Sequence, residues 1–413
     1  MRGLAWTVCI IALGLGLAAC SEMRPEDSKK EVRQHWDTMR ARLKYQLALD
    51  SFNSGQLDQA HERLRESLAL DSMAAPAYAL LGKILLERGE VAAASQALEQ
   101  AAQYGGDKQG EVPYLRGLIA QRYERFEEAL SWYRQASFAD PMNAHYVAAV
   151  AETLVALGRP NEALALARGR WTDFEQNATL RSLTAGIEML LGRYEEAADA
   201  YREALRLAPQ DDILRWRLGS ALVLAGRHEE AADVLACATQ SDKQAPTTAL
   251  VDLGHASLEL GRADQAKTLL RQATSQEPTL VSGWLWLARA SLMCEDLVTA
   301  RRSAQEAVRI EPDNDGHHIL LAYVCLRQKD YPAAEASSQV ILRQRPDDPL
   351  ALHLLHLAQS HLDLSEASYR SLPMTSESDP AAAGRLAEIS EHDIGGSTAP
   401  TTEAHLNRRA RSP

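Results

Sequence analysis

The chain has 413 residues and carries a formal net charge of −12 at pH 7, with a pI near 5.5. An acidic chain without a long block of lysine and arginine lacks the basic face of nucleic-acid binders, so we expect no nucleic-acid partner. Alanine and leucine are abundant and Gly and Pro recur at regular intervals, which favours helices punctuated by turns.

The first twenty residues predict export and acylation. Met1-Arg2 precedes an apolar run, Gly3 to Leu17, which is too short to span a bilayer comfortably and ends in small residues, as in a secretory signal peptide. It closes on Leu17-Ala18-Ala19-Cys20, which resembles the bacterial lipoprotein box. The resemblance implies that residues 1–19 are removed, that Cys20 is lipidated and, with Ser21 rather than Asp next, that the protein reaches the outer membrane and faces the periplasm. An ordinary signal peptide with a chance cysteine is the alternative.

A repeat of 34 or 35 residues organises most of the chain after residue 40. Residues 20–40 are polar and charged, and we interpret them as a lipidated tether and lead-in that becomes helical near Val32 to Arg40. From Ala41 onward the pattern predicts paired helices, and an alanine in each second helix lies where the two helices approach most closely. These alanines are Ala60, Ala94, Ala129, Ala163, Ala197, Ala231, Ala266, Ala300 and Ala334.

Three further features share this register. A small residue in each first helix allows close approach of its neighbour: Ala48, Gly82, Gly117, Ala151, Ala185, Gly219, Gly254, Ala288 and Ala322. A glycine suited to a left-handed cap ends most first helices: Gly55, Gly89, Gly158, Gly192, Gly226 and Gly261. Three copies use Glu124-Arg125, Glu295-Asp296 and Lys329-Asp330 there instead. A proline closes several copies: Pro141, Pro209, Pro278, Pro312 and Pro346.

Together these features resemble the tetratricopeptide repeat family over residues 41–363. The resemblance implies an all-α superhelical solenoid of antiparallel helix pairs, about nine repeats with a capping helix after Leu350. The fourth copy runs into Ala167-Arg168-Gly169-Arg170-Trp171 without a closing proline, so we expect a distorted turn there. Residues 364–413 are rich in Ser, Thr, Pro, Gly and charge, which predicts a mostly disordered tail.

In this family the first helices form a concave wall that binds peptide segments. The resemblance places these residues of the chain on that wall: Tyr114, Trp216, Arg217, Asp252, His255, Trp286, Arg289, Tyr323 and Arg327. Arginine pairs with carboxylates and aromatic rings give large apolar contacts, so an acidic or C-terminal peptide segment is the expected ligand. The alternative is that the two tryptophans pack the fold and the arginines are solvated. The Asn and Lys pattern of the family's two-carboxylate clamp is absent.

No pattern in the sequence predicts catalysis, a metal or a cofactor. HExxH, GxSxG, a phosphate-binding glycine loop and CxxC are all missing, so we expect no enzyme. Cys237, Cys294 and Cys325 form no metal motif; Cys325 should face the core, and a Cys294–Cys325 bridge is an open alternative. His353, His356 and His361 lie on an end helix without an accompanying acidic ligand, which favours ordinary polar positions over a metal site.

These observations predict a lipid-anchored periplasmic scaffold that binds protein partners on its concave face. By resemblance, such lipoproteins serve the assembly of a pilus, a secretion machine or exopolysaccharide export. The alternative is a recruiting or regulatory subunit for a periplasmic hydrolase or peptidoglycan enzyme. The only expected membrane contact is the lipid anchor.

Overall fold

The computed structural model describes residues 25–105, 110–239 and 246–361, and these contain nineteen α-helices and no strand. They fall into two compact units, which divide between Asp140 and Pro141. The expected signal peptide at 1–19, the expected lipidation site Cys20 and the expected tail at 364–413 lie outside the described residues. None of the helices in the described ranges combines the length and apolar character needed to cross a membrane.

The first unit contains three helix pairs, and the second contains six pairs and a final helix. The helices of the first unit are α1 (Pro25–Asn53), α2 (Leu57–Leu70), α3 (Ala75–Glu87), α4 (Val91–Gln103), α5 (Glu111–Arg122) and α6 (Phe126–Ala139). Those of the second are α7 (Ala144–Ala156), α8 (Pro160–Gly169), α9 (Ala178–Leu190), α10 (Tyr194–Leu207), α11 (Asp212–Leu224), α12 (His228–Thr239), α13 (Thr247–Glu259), α14 (Ala263–Gln276), α15 (Val281–Met293), α16 (Leu297–Ile310), α17 (Asp315–Arg327), α18 (Tyr331–Gln344) and α19 (Pro349–Gln359). The all-α fold of paired helices with one capping helix is therefore confirmed.

Burial confirms the predicted register. All nine second-helix alanines are completely buried, and so is each alanine at the small-residue position of a first helix. Where that position is glycine, a large side chain sixteen residues later occupies the space: Leu98 faces Gly82, Tyr133 faces Gly117, Leu235 faces Gly219 and Leu270 faces Gly254. A β-carbon on Gly219 would come within 2.4 Å of the Leu235 side chain. The glycine is therefore required by packing rather than by backbone conformation.

The turns inside the pairs adopt the predicted left-handed geometry in every copy. The six turn glycines have φ between 70° and 79°. In the copies without glycine the same conformation falls on Glu124, Glu295 and Lys329, with φ of 57°, 55° and 62°. An L-residue in this region costs roughly 1–2 kcal/mol because its β-carbon crowds the following carbonyl. These three turns are consequently strained relative to the glycine turns.

We expect glycine at the strained turns to stabilise the protein. Glu295→Gly should raise the free energy of unfolding by about 1 kcal/mol, because it removes the β-carbon strain and leaves the turn hydrogen bonds unchanged. The reverse change, Gly261→Ala, should lower it by a similar amount at the equivalent turn, where φ is 75°. Urea unfolding of both variants measures the effect. Equal stabilities for Glu295→Gly and the wild type would show that the turn carries no strain.

The linkers between pairs also follow the sequence pattern. Each closing proline is the second residue after the end of a second helix, as Pro209 is after α10. Side-chain caps then start several first helices: Asp211 accepts a hydrogen bond from the backbone N–H of Ile213 at 2.9 Å, and Asn177 accepts one from Leu180 at 2.8 Å. One boundary differs from expectation, since α1 is a single helix from Pro25 and not one that begins near Val32.

The fourth copy contains the expected distorted turn. Its second helix, α8, has only ten residues, and residues 170–176 form turns before α9 begins. Trp171 fills this region: its indole N–H donates to Thr184 Oγ1 at 3.1 Å, and the Arg181 guanidinium carbon lies 4.1 Å from the centre of its ring. These contacts attach the irregular segment to α9.

An ion pair between the partly exposed Arg168 and the buried Glu188 joins α8 to α9 beside this turn. The Glu188 carboxylate is completely buried, and its Oε1 accepts hydrogen bonds from Arg168, with Nε at 2.9 Å. Among the described residues, Glu188 Oε2 has no hydrogen-bond partner. Burial raises the pKa of Glu188, and the adjacent Arg168 only partly offsets this.

The cysteines are free thiols in the described residues. Cys325 is buried, as expected, and burial raises its pKa to about 11. Cys294 is half-buried and its Sγ lies 3.5 Å from Asp264 Oδ1. The alternative of a Cys294–Cys325 bridge is therefore not realised.

Candidate partner-binding surface

The side chains expected to bind a partner are distributed over first helices of both units. Tyr114 lies on α5, half-buried, with its ring centre 5.6 Å from that of Tyr133. Arg327 lies half-buried in the last turn of α17. The arrangement that bears most on binding is found on α11, α13 and α15 of the second unit.

On α11, Trp216 packs against the hydrophobic core, and Arg217 lies beside it and contacts α9. Trp216 is half-buried against the hydrophobic cluster that includes Leu218 and Leu235, and its indole N–H is buried without a hydrogen-bond partner among the described residues. Arg217 Nη1 donates to Ser182 Oγ on α9 at 3.3 Å. Trp216 is therefore in part a packing residue, which agrees with the alternative interpretation of its role.

Two of the expected binding residues are interior. Asp252 is buried on α13, where its carboxylate accepts a short hydrogen bond from the Ser220 hydroxyl of α11. Tyr323 on α17 is completely buried and packs with Ala288 and Leu320. A buried side chain makes no contact with a partner in this conformation, so both are corrected from binding residues to residues that hold neighbouring first helices together.

Three of the remaining residues form one cluster with two that the sequence analysis did not name. His255 of α13 stacks on Trp286 of α15, with ring centres 3.6 Å apart and planes at 21°. Arg289 lies one turn beyond Trp286, with its guanidinium carbon 5.2 Å from the centre of the Trp286 ring. Glu259 completes the group, since its Oε1 lies 3.3 Å from Arg289 Nη2 and 3.9 Å from His255 Nε2.

His228, at the first residue of α12, joins the edge of this group. Its ring centre lies 5.8 Å from that of His255, and its Nδ1 is buried without a hydrogen-bond partner among the described residues. We call His228, His255, Glu259, Trp286 and Arg289 the α13–α15 cluster. Glu259 could have been found from the sequence, because it follows His255 by four residues and so lies on the same side of the helix. His228 could not, since it belongs to a second helix.

The cluster has the features of a binding surface. Glu259 is exposed and the other members are half-buried, so each presents part of its side chain to solvent. The Trp286 ring contacts both His255 and Arg289, and an aromatic surface fixed in this way binds apolar groups at low entropic cost. No group of three or more His, Cys, Asp and Glu in residues 25–105, 110–239 and 246–361 is arranged to hold a metal ion.

Comparison with protein families decides the identity of the repeat. A tetratricopeptide repeat model matches residues 45–109, 174–246 and 251–315, and a second one matches 291–358, which together cover more than half of the chain. The chain belongs to the tetratricopeptide repeat family. Proteins of this family bind protein partners, so the chain is a protein–protein interaction scaffold, on a fold that is typically non-catalytic.

Solved tetratricopeptide structures resemble the chain at low sequence identity. YrrB, described as a protein with an unusual peptide-binding site, is 22% identical; the match covers 44% of this chain and 93% of YrrB, with a TM-score of 0.37. The pilF protein of Pseudomonas aeruginosa is 16% identical over 61% of this chain and 99% of its own, with a TM-score of 0.38. The Cut9–Hcn1 complex of the APC/C is 16% identical over 77% and 76%, with a TM-score of 0.45. No curated protein matches the chain.

Proposed function

We propose that this tetratricopeptide repeat protein is a lipid-anchored scaffold of the bacterial envelope that holds partner proteins through the α13–α15 cluster. The observation that carries the proposal is the stacked arrangement of His255, Trp286 and Arg289 on adjacent first helices. First helices form the ligand-binding wall in this family. The cluster therefore has the chemistry of a ligand site at the expected place in the fold.

Charge favours an acidic segment as the ligand. Arg289 is oriented by its stack on Trp286 and by Glu259, so the geometry for pairing with a carboxylate already exists before a partner arrives. A partner carboxylate would replace Glu259 beside the guanidinium, while an apolar neighbour in the same segment would contact the Trp286 ring. Glu259 thereby acts as the internal competitor that a partner displaces.

We expect charge reversal in this surface to weaken partner capture. Arg217→Glu with Arg289→Glu should lower recovery of crosslinked partners from the native host by roughly 30-fold, because losing a charged pair at an interface costs about 2 kcal/mol or more. Arg302→Glu is the matched control, since Arg302 is exposed on the second helix α16 and the net charge changes by the same amount per site. Mass spectrometry of the crosslinked products measures recovery.

Two checks make this experiment decisive. First, circular dichroism must show unchanged helicity, because the Arg289→Glu carboxylate repels Glu259 and could disturb the fold. Second, Arg289→Gln removes the positive charge without that repulsion and should also weaken capture. Equal recovery from the wild type and the double variant would move the binding surface away from the α13–α15 cluster.

The anchor is proposed from the lipoprotein box alone. The wild-type protein should stay on membranes during a high-salt wash, because several acyl chains anchor almost irreversibly. The wash should release the Cys20→Ala protein. Cys9→Ala, inside the proposed signal peptide, is the matched control and should leave the protein anchored. Membrane retention of Cys20→Ala after the wash would exclude acylation at this residue.

A further inference from the structure

Helix α1 carries a row of exposed apolar side chains that the repeat does not use. Val32, Trp36, Met39, Leu43 and Leu47 are 57%, 64%, 48%, 61% and 37% exposed. Their spacings of four, three, four and four residues place all five on one side of the helix. At 1.5 Å per residue the row extends over roughly 22 Å. We call these five residues the α1 stripe.

The other side of α1 attaches the helix to the first unit. Ala41 and Ala48 are buried there, and the Ser67 hydroxyl of α2 donates to the Ala41 carbonyl at 2.8 Å. Tyr45 and Phe52 pack against the core on the same side. The helix therefore has two apolar sides, and only one of them is explained by the fold. A contiguous exposed apolar surface of this kind marks an interaction site.

Basic residues flank the stripe. Residues 29–44 contain six lysines and arginines against two acidic residues, a local net charge of +4 in a chain whose net charge is −12. Arg33, Arg40 and Arg42 are all exposed, and they border the stripe on both sides of the helix. This short segment thus combines an apolar surface with a positive rim.

The charges decide between possible occupants. A second copy of α1 packed on the stripe would bring Arg33, Arg40 and Arg42 of both copies to one interface, where like charges repel. An anionic lipid surface avoids this conflict, because the headgroups attract the rim while the stripe enters the acyl boundary. Trp36 among aliphatic residues suits that boundary, since its ring is apolar with one polar edge.

We propose that α1 lies on the surface of an anionic lipid bilayer, with the α1 stripe inserted at the boundary between headgroups and acyl chains and Arg33, Arg40 and Arg42 among the headgroups. This contact is additional to the expected acyl chain on Cys20 and does not depend on it. It fixes the direction in which the first unit leaves the membrane, because the core side of α1 faces away from the lipid.

Vesicle binding by the chain from residue 20 onward tests the proposal. All proteins begin at residue 20 and carry Cys20→Ala, so neither acylation nor the apolar run Gly3 to Leu17 contributes to binding. Cosedimentation is compared between vesicles of phosphatidylcholine alone and vesicles with about 30% phosphatidylglycerol. We expect the protein to bind the anionic vesicles more tightly. Trp36→Glu plus Leu43→Glu should lower the affinity for these vesicles by at least about tenfold. Changing any one of Arg33, Arg40 and Arg42 to Gln should lower it by about fivefold.

Matched controls separate the stripe from general stickiness. Phe138→Glu, at a residue that is 88% exposed on α6, should leave binding unchanged. Trp36 fluorescence, taken as the difference from Trp36→Phe, should shift to the blue and be quenched by brominated lipid. Binding that ignores lipid charge, or that survives Trp36→Glu plus Leu43→Glu, overturns the proposal. So does concentration-dependent dimerisation in sedimentation that those changes abolish, since it would identify a second copy as the occupant.

Discussion

Arg168→Ala is expected to lower the free energy of unfolding by about 3 kcal/mol at pH 7.5. The change leaves the fully buried Glu188 carboxylate without its hydrogen-bonding partner, and an uncompensated buried charge costs several kcal/mol. The effect lies at the low end of that range because Arg168 itself is half exposed. Arg159→Ala is the control, because Arg159 immediately precedes α8 and forms a solvent-exposed pair with Glu162; it should cost less than about 1 kcal/mol.

The loss should depend on pH in a defined direction. The pKa of Glu188 is already raised by burial, and removal of Arg168 takes away the group that lowers it. A raised pKa means that the folded state takes up a proton more readily than the unfolded state, so the penalty is largest above the folded pKa and shrinks as the pH falls. Urea unfolding at pH 7.5 and pH 5 measures both. A penalty that does not shrink at pH 5 would show that proton uptake by Glu188 does not relieve the loss over this range.

A second variant isolates the charge. Glu188→Gln removes the buried charge and retains the shape, so it should be close to neutral at pH 7.5, and combined with Arg168→Ala it should recover most of the lost stability. A double variant as unstable as Arg168→Ala alone would assign the loss to packing of the arginine chain.

Gly219→Ala is expected to have opposite effects in two backgrounds. In the wild type it should destabilise the protein by about 1–3 kcal/mol, because the new β-carbon would lie 2.4 Å from Leu235 Cγ and Cδ2. Leu235→Ala alone should cost about 2–5 kcal/mol through the cavity it leaves. In that background Gly219→Ala should instead stabilise by about 0.5–1 kcal/mol, since alanine is the better helix former and the clash is gone.

Two copies of the repeat already contain the alanine pair that this double variant creates. Ala151 with Ala167, and Ala288 with Ala304, have the same sixteen-residue spacing and are completely buried. Thermal unfolding of the four proteins in the cycle measures the coupling. The same sign for Gly219→Ala in both backgrounds would show that its cost does not arise from contact with Leu235.

The repeat register was predictable because it depends on side-chain size alone. Where the backbones of the two helices approach most closely only a small residue fits, and this requirement returns every 34 or 35 residues along the sequence, as at Ala197 and Ala231. The turn positions were predictable from the same register, including the three without glycine, but what recurs there is a left-handed backbone that glycine adopts most easily. Strain at Glu295 could be assigned only once its φ was known.

The binding surface was harder to predict because exposure depends on neighbours in other copies. Asp252 is buried and accepts a hydrogen bond from Ser220, which lies thirty-two residues earlier. A pattern in a single sequence does not reveal such a pair. Glu188 is likewise buried, and its ion-pair partner Arg168 comes from the irregular fourth copy. The polar residues around the α1 stripe favoured a tether in the sequence. Only the continuous helix from Pro25 shows that the five apolar residues of the stripe share one exposed surface.

The size of the side chain in a second helix is matched to that in its first helix, as for Leu235 with Gly219. This matching limits how the array can gain or lose copies during evolution. A duplication or deletion whose ends fall between two pairs keeps every glycine with its own leucine or tyrosine, as for Gly117 with Tyr133. One whose ends fall in the turn inside a pair would join the first helix of one copy to the second helix of another. A glycine could then meet an alanine and leave a void, whereas an alanine beside a leucine or a tyrosine already occurs at Ala48 with Leu64 and at Ala185 with Tyr201. Recombination should therefore be tolerated at the linkers between pairs, and should be costly at those turns within pairs where it separates a glycine from its leucine or tyrosine.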